Sequence, residues 1–411
     1  MKKTINTSLT LMTAGMLCLA STPAAEAAAT SDELEQLKQQ VQMLTQQNQQ
    51  LNQRLTEMET TVSGSKAVTE TEAPAAKADA AAGEKEEGGL KIGEMLTLSG
   101  SIEGDFIVAE DFAGNSSSEF NLDTVELILD LKASEWAKGK IVIDYDGDDE
   151  DLYIDEANIT LGGNEAFPLF LTAGKIYAPF GDFSTNMIQD PFTQTLGEIN
   201  EEGAIAGFEK NGFTASVFAY NGVDEVGDDS TVNGYGASIA YAYEQDDLTL
   251  RGGAGWVSNL ADADGIADML PRSEDDDIVL HDATTGLNLF AGAQYKGVSL
   301  FSEYTTALDS FQTGDLSFAS GGAEPKAWNT ELAYTTALAG KETVFALGYQ
   351  KTWESLGLEL PEYRYSVSGA MGIFEGTTVI LEYYYDEDYT VEDGGTDGNG
   401  YGFTTRLAYE F

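Results

Sequence analysis

The chain has 411 residues with 21 Lys and Arg against 70 Asp and Glu, a formal net charge of −49, and it carries 44 Gly, 19 Tyr, 19 Phe and 8 Pro. Such acidity argues against nucleic acid and anionic lipid surfaces as partners. Beyond the first 29 residues no run of about 20 apolar residues exists, so helical membrane spans are excluded and a closed barrel is the one spanning structure left. The charge itself reads in two ways, as a solvated surface suited to a saline habitat or as a field that attracts cations.

Lys2 and Lys3 lead into an apolar run over residues 9–20, followed by small residues around Ala25, Ala27, Ala28 and Ala29. This is the pattern of a secretory signal peptide over residues 1–29. Cys18, the sole cysteine, follows Leu17 where a lipoprotein signal has a small residue, so lipidation is not expected. Cleavage near Ala29 leaves a mature chain without thiols.

Over residues 30–63 the apolar period changes. Leu34, Leu37, Val41, Leu44, Asn48, Leu51, Leu55, Met58 and Val62 alternate spacings of three and four, a heptad repeat with Leu34 at a and Leu37 at d. Asn48 at an a position fixes register. The pairs Glu33 with Lys38 and Arg54 with Glu59 have the g-to-following-e spacing of a parallel bundle. A periplasmic coiled coil that joins copies of the chain is expected, with a lone amphipathic helix as the alternative. Residues 64–89, rich in Ala, Glu and Lys, read as a flexible linker.

From residue 90 to 411 the period is two. Leu96, Leu98, Ile102, Phe106 and Val108 share one face, as do Tyr235, Ala237, Ile239, Tyr241 and Tyr243, and Val379, Leu381, Tyr383 and Tyr385. Sixteen strands are expected, near residues 95–108, 120–132, 139–146, 152–161, 168–179, 199–209, 213–221, 234–244, 248–258, 286–296, 298–308, 327–337, 342–353, 362–371, 377–386 and 400–411. The even-numbered connections are short and hold Lys138, Lys210, Lys296 and Lys341. The odd-numbered ones are mostly longer and acidic: Asp262, Asp264, Asp268, Glu274, Asp275, Asp276, Asp277 and Asp282 crowd one, Asp148, Asp149, Glu150 and Asp151 another, and Asp224, Glu225, Asp228 and Asp229 a third. A soluble sandwich has no reason for this two-beat alternation. The connection over residues 181–197 stands apart, because it holds Pro191, Phe192, amides and hydroxyls and is not acid-rich.

The last strand places Tyr401, Phe403, Thr405, Leu407, Tyr409 and Phe411 on one face and Gly402, Thr404, Arg406, Ala408 and Glu410 on the other. With its terminal Phe it resembles the closing strand of a bacterial outer-membrane β-barrel. The expected fold is an all-β, 16-stranded antiparallel transmembrane barrel over residues 90–411 with short periplasmic turns and longer outer loops. Its outer mouth would be strongly negative, and Ca²⁺ or Mg²⁺ would bridge those carboxylates to lipopolysaccharide phosphates. Asp144, Asp146 and Asp148 start like a calcium loop, but Asp149 stands where that motif has Gly and Asp155 where it has Glu, so the match is weak.

YIDEANITL (153–161), LTAGKIYAPFG (171–181) and STNMIQDPFTQTLGE (184–198) resemble the legiobactin-type siderophore porin family. They are more distantly similar to phosphate-selective porins, which share the Pro-Phe-Gly at a strand end. That family often reads Ser-Asp-Pro-Leu where this chain has Gln189-Asp190-Pro191-Phe192, which puts the substrate in doubt. The resemblance implies ferric siderophore uptake without energy coupling. By parity the 181–197 connection is the third outer loop, which in 16-stranded general porins folds into the barrel, so a constriction built from Asp182, Asn186, Gln189, Asp190, Pro191 and Phe192 is expected there. General porins of this size are trimers, whereas a single Asn at an a position often accompanies dimers; the trimer is favoured.

The inward faces hold Glu103, Asp105, Glu126, Asp130, Asp144, Glu303 and Glu382 against Arg251, Arg364 and Arg406. The expected lumen is mixed and tilts negative, unlike the inward Lys and Arg ladder that a phosphate pore requires. The arginines either set a transverse field or simply balance lumen carboxylates. Without a second His or any mature Cys the usual zinc sites cannot form, no Gly-x-Ser-x-Gly occurs, and His281 reads as a solvated loop residue. Two functions remain. One is a passive porin for polar, neutral-to-cationic solutes. The other is a tethering protein whose stalk links the membrane to the periplasm. An energy-coupled receptor would need about 22 strands and a plug, which about 320 residues cannot supply.

Overall fold

The computed structural model describes residues 90–91, 95–146, 151–223, 231–273 and 277–411. The signal peptide, coiled coil and linker expected over residues 1–29, 30–63 and 64–89 lie outside them, as do Asp148 of the calcium-loop pattern and the acidic stretches 224–230 and 274–276.

Seventeen strands form one sheet, of which the two-residue Leu90–Lys91 is an appendage pairing with Leu98 and Thr97. The other 16 close a barrel. They are Leu96–Glu110 (β1), Ser116–Ser134 (β2), Ala137–Asp146 (β3), Asp151–Asn164 (β4), Phe167–Tyr177 (β5), Asn200–Lys210 (β6), Phe213–Asn221 (β7), Val232–Gln245 (β8), Leu248–Val257 (β9), Gly286–Tyr295 (β10), Val298–Ala307 (β11), Lys326–Leu338 (β12), Lys341–Trp353 (β13), Tyr363–Phe374 (β14), Thr377–Glu387 (β15) and Asn399–Glu410 (β16). Each pairs antiparallel with the next, and β16 returns to β1 from Tyr401↔Glu110 to Glu410↔Ser101. Closure leaves no open edge, the condition for strands in hydrocarbon. No helix of the described residues is long and apolar enough to cross a membrane.

The period-two pattern lands as expected. Leu300, Leu332, Leu347, Leu381, Leu407 and Tyr409 stand exposed on the outer face, while Glu303, Glu331 and Glu382 alternate with them toward the interior. Aromatic rings gather at both rims, with Trp328, Tyr349 and Tyr365 in contact at one (centroids 5.5–5.6 Å) and Trp136–Phe167 and Tyr409–Phe411 at the other (5.8 and 6.1 Å). These are the girdles of a membrane barrel. β2 starts at Ser116, earlier than its apolar period, because the ladder with β1 runs on to Glu110↔Ser116 and backbone pairing needs no apolar side chain.

One rim carries tight turns. Asn211-Gly212, Lys296-Gly297 and Ala339-Gly340 each put both central residues at positive φ (54° and 77°, 49° and 83°, 53° and 79°), the type I′ geometry that matches strand twist. The opposite rim carries the long connections, of which the segment between β5 and β6 (residues 178–199), that between β9 and β10 (258–285) and that between β11 and β12 (308–325) fold onto one another. Phe180, Phe192, Leu196 and Ile199 from the first, Leu260, Ile266, Leu270 and Leu280 from the second, and Phe311, Leu316 and Ala323 from the third are all buried in one cluster.

The 258–285 connection departs from a solvated acidic surface at one carboxylate. It is not simply an acidic solvated loop: Asp262 is buried and accepts from Tyr220 Oη (3.0 Å), Val223 N (2.8 Å) and Asn259 Nδ2 (2.9 Å). His281 is an exposed loop residue, and its Nδ1 lies 2.5 Å from Asp315 Oδ1.

Candidate functional site

The segment 178–199 leaves β5 into the barrel interior. Gly181 permits the entry, since a Cβ there would stand 2.3 Å from the Phe183 ring and 2.9 Å from Asn288 Nδ2. The chain then crosses the inner faces of β10 to β15 and turns back through a short helix, Phe192–Thr195 (α1), with Pro191 at its N-cap.

Three wall carboxylates hold this loop by its backbone. Glu303 on β11 accepts from the N–H groups of Asp182 (2.9 Å) and Phe183 (3.1 Å) and from Thr193 Oγ1 (3.1 Å). Glu331 on β12 accepts from Thr185 Oγ1 (2.7 Å), Asn186 N (3.0 Å) and Asn186 Nδ2. Glu382 on β15 accepts from the N–H groups of Ile188 and Gln189. Gln350 on β13 accepts from Phe192 N (2.7 Å), and Ser368 on β14 donates to the Asn186 carbonyl (2.8 Å). Burying a carboxylate is costly unless charge-assisted hydrogen bonds replace its water. Here the loop's otherwise unsatisfied N–H groups supply them, save at Glu382, where both bonds fall on one oxygen and the other is buried without a partner among the described residues.

The three inner arginines are each engaged. Arg364 makes a bidentate bridge to Asp386 (2.8 and 2.8 Å) and lies between the rings of Phe192 (4.7 Å) and Tyr384 (4.4 Å). Arg251 reaches Asp182 (3.3 Å) and covers the Phe301 ring (4.8 Å). Arg406 on β16 grips Asp105 on β1 with two bonds (2.9 and 2.8 Å) and also reaches Glu103 and Asp123. That cluster spans the seam where the barrel closes.

Sequence parity and structure therefore part at several residues. Glu303 and Glu382, expected to line the pore, are each 1% exposed beneath the loop, and Asp105 is buried under Arg406. Phe192, expected at the constriction, is buried against Arg364 and the apolar cluster. Asp182, Asn186 and Gln189 are tied to Arg251, Glu331 and Glu382, while Asp190 faces a cavity of about 450 Å³ beside Asp123, Glu359, Arg364 and Arg406. Burial pushes the Glu198 carboxyl at the loop's far end up to about 7.

Glu126 and Asp130 stand on the inner face of β2, half-buried and without an ion pair or hydrogen bond among the described residues. Near them Lys140 pairs with Glu156 (2.7 Å). Asp144 accepts from Tyr145 N (2.8 Å), and no group of three His, Cys, Asp or Glu among the described residues is placed to hold a metal ion. The docked loop thus occupies the side of β10 to β15, Arg406 holds Glu103, Asp105 and Asp123 at the seam, and Glu126 and Asp130 on β2 face the remaining space.

Sequence reading missed Asp123, Lys140, Glu156, Glu331, Gln350 and Asp386. Glu331 was readable, since Trp328, Leu332 and Tyr334 on the same strand alternate with it. Asp123 was not: a register shift at Glu103/Gly104 breaks the alternation there and turns it inward.

The chain is 31% identical over 313 residues to a UPF0422 protein of Coxiella burnetii, a match covering 74% of this chain and 67% of that protein. It is 26% identical over 319 residues to a UPF0422 protein of Legionella pneumophila strain Lens, covering 72% of this chain and 60% of the relative. The chain thus spans about three fifths to two thirds of these relatives' own length. No protein-family model matches it. Among solved structures the fold is similar to OprB of Pseudomonas putida (TM-score 0.56, 11% identity, 77% of this chain and 94% of that one). It is also similar to an anion-selective porin from Comamonas acidovorans (0.52, 13%, 77% and 99%) and to the outer-membrane channel DcaP of Acinetobacter baumannii (0.51, 16%, 79% and 99%). At these identities the likeness is one of fold.

Proposed function

The chain belongs to the UPF0422 protein family, and we propose that it is an outer-membrane porin giving passive, energy-independent diffusion of small polar solutes, with a preference for neutral and cationic ones. The observation that carries this reading is the division of the lumen. The folded-in loop is docked on β10 to β15, and each inner arginine is neutralised by a carboxylate within 3.3 Å. Among the described residues Glu126 and Asp130 on the opposite wall make no ion pair, and the neighbouring Lys140 is taken up by Glu156, so the free half of the lumen is electronegative. A low-dielectric channel lined by one sign of charge concentrates counter-ions. The tight turns then face the periplasm and the long loops the outside.

Parallel self-association through the heptads of residues 30–63 is part of the same proposal, with a trimer favoured. The resemblance of residues 171–198 to siderophore porins adds ferric chelates to the candidate solutes, which uptake of labelled iron chelate by a deletion strain tests. Planar-bilayer recording tests the channel itself. Discrete ion-conducting steps are expected, and a folded barrel that gives none would support the tethering alternative.

A further inference from the structure

On the turn side of the docked loop lies a cavity of about 290 Å³ that differs in chemistry from the acidic wall. Thr249 on β9, Gln294 on β10 and Ser299 on β11 are direct cross-strand partners in register, Thr249↔Gln294 and Gln294↔Ser299. Strands lie roughly 4.8 Å apart, so the three form a row about 10 Å long. Thr335 on β12 lines the same cavity, two positions along from Ala333, which stands opposite Ser299. None of these four side chains makes a hydrogen bond among the described residues, although all four are half-buried and face the cavity.

The charges in the lining cancel. Arg251 contributes one cation and Glu331 one anion, and Glu331 is occupied by Thr185 and Asn186. Gly292 leaves room for the guanidinium over Phe301, since a Cβ there would stand 3.0 Å from Arg251 Nε. Only Nη2 of that group meets Asp182, which leaves N–H donors for an oxygen of a solute. A small ligand pocket with convergent neutral donors and acceptors discriminates by hydrogen bonding, and a hydroxylated solute satisfies every group present.

Resting on the channel reading, we propose that this cavity is a binding subsite for an uncharged polyol of about hexitol size, held by Thr249, Gln294, Ser299, Thr335 and the free edge of Arg251. Equilibrium binding of radiolabelled mannitol to the folded full-length protein in detergent tests it without relying on conductance. Saturable binding is expected. The double variant Gln294→Leu, Thr335→Val should weaken it about tenfold or more, the effect of one to two lost neutral hydrogen bonds, and Ser299→Ala by a smaller factor. Val391→Ala, at an exposed position between β15 and β16, should leave it unchanged. Should the double variant fail to fold, the single Ser299→Ala and Thr249→Val substitutions carry the comparison.

Absence of saturable mannitol binding, or binding unaltered in folded variants, overturns the subsite. Saturable binding of gluconate or putrescine in place of mannitol overturns the ligand class. Mannitol binding by a protein that gives no ion steps in a bilayer upholds the subsite and overturns the channel.

Discussion

Replacing Glu331 by Leu tests how the constriction is built. Glu331 is 3% exposed and accepts from Thr185 Oγ1, the Asn186 backbone and the Asn186 side chain. The Thr185 hydroxyl can rotate to another acceptor, but the Asn186 N–H and Nδ2 are left facing an alkyl group. At about 1 kcal/mol for each stranded donor, the middle anchor weakens by about 2 kcal/mol, which raises the population of the detached loop roughly 30-fold. The loop remains tied through Glu303 and Glu382, so the result is excursion of residues 184–187 rather than loss of the constriction. Single-channel recording should show added current noise at little-changed mean conductance, and amide hydrogen exchange at Asn186 and Met187 should accelerate. Glu331→Gln keeps one oxygen acceptor and should show a smaller effect. A folded, heat-modifiable E331L barrel with wild-type noise and wild-type exchange would refute the anchoring argument.

Three further outcomes follow from the geometry. Arg406→Met frees Glu103, Asp105 and Asp123 from their shared cation, so reversal potentials should shift toward stronger cation preference and the barrel should melt at lower temperature than wild type. Gly100→Val should lower the yield of folded barrel on a heat-modifiability gel, because a Cβ at Gly100 meets the Glu126 carbonyl at 2.3 Å beside the Phe411 ring. Burial raises Asp262 from 3.8 to about 7, against the pull of its three donors. The folded state therefore binds the extra proton, and the stabilisation present below about pH 4 is lost as pH rises toward 7. Amide exchange around residues 260–267, corrected for its intrinsic pH dependence, should report progressively weaker protection between pH 5 and pH 8, and Asp262→Asn should flatten that trend.

Strand number and strand faces were legible because a lipid-facing sheet writes its period directly into side chains such as Leu347, Leu381 and Leu407. The tight turns were legible from Asn211-Gly212 and Lys296-Gly297, whose backbone demands are local. The docking of residues 178–199 onto Glu303, Glu331 and Glu382 was not. Those bonds join residues more than a hundred positions apart, and nothing near Glu303 distinguishes a loop anchor from a pore-lining acid. The apolar cluster was hidden for a related reason. Leu260, Ile266, Leu270 and Leu280 are spread through a run dense in Asp, and the acidic character of the segment masked their common destination. Bulges removed the rest, as at Glu103/Gly104, where one extra residue turns Asp123 from the expected outer face to the inner one.

The central claim is that the open half of the lumen is electronegative because its carboxylates outnumber the cations that reach them. Reversal potential across a bilayer in a KCl gradient measures this directly. The account predicts a potential of the sign set by K⁺ permeation, reduced in a Glu126→Gln, Asp130→Asn double variant. A potential of the sign set by Cl⁻, or one indifferent to those two substitutions, would contradict it.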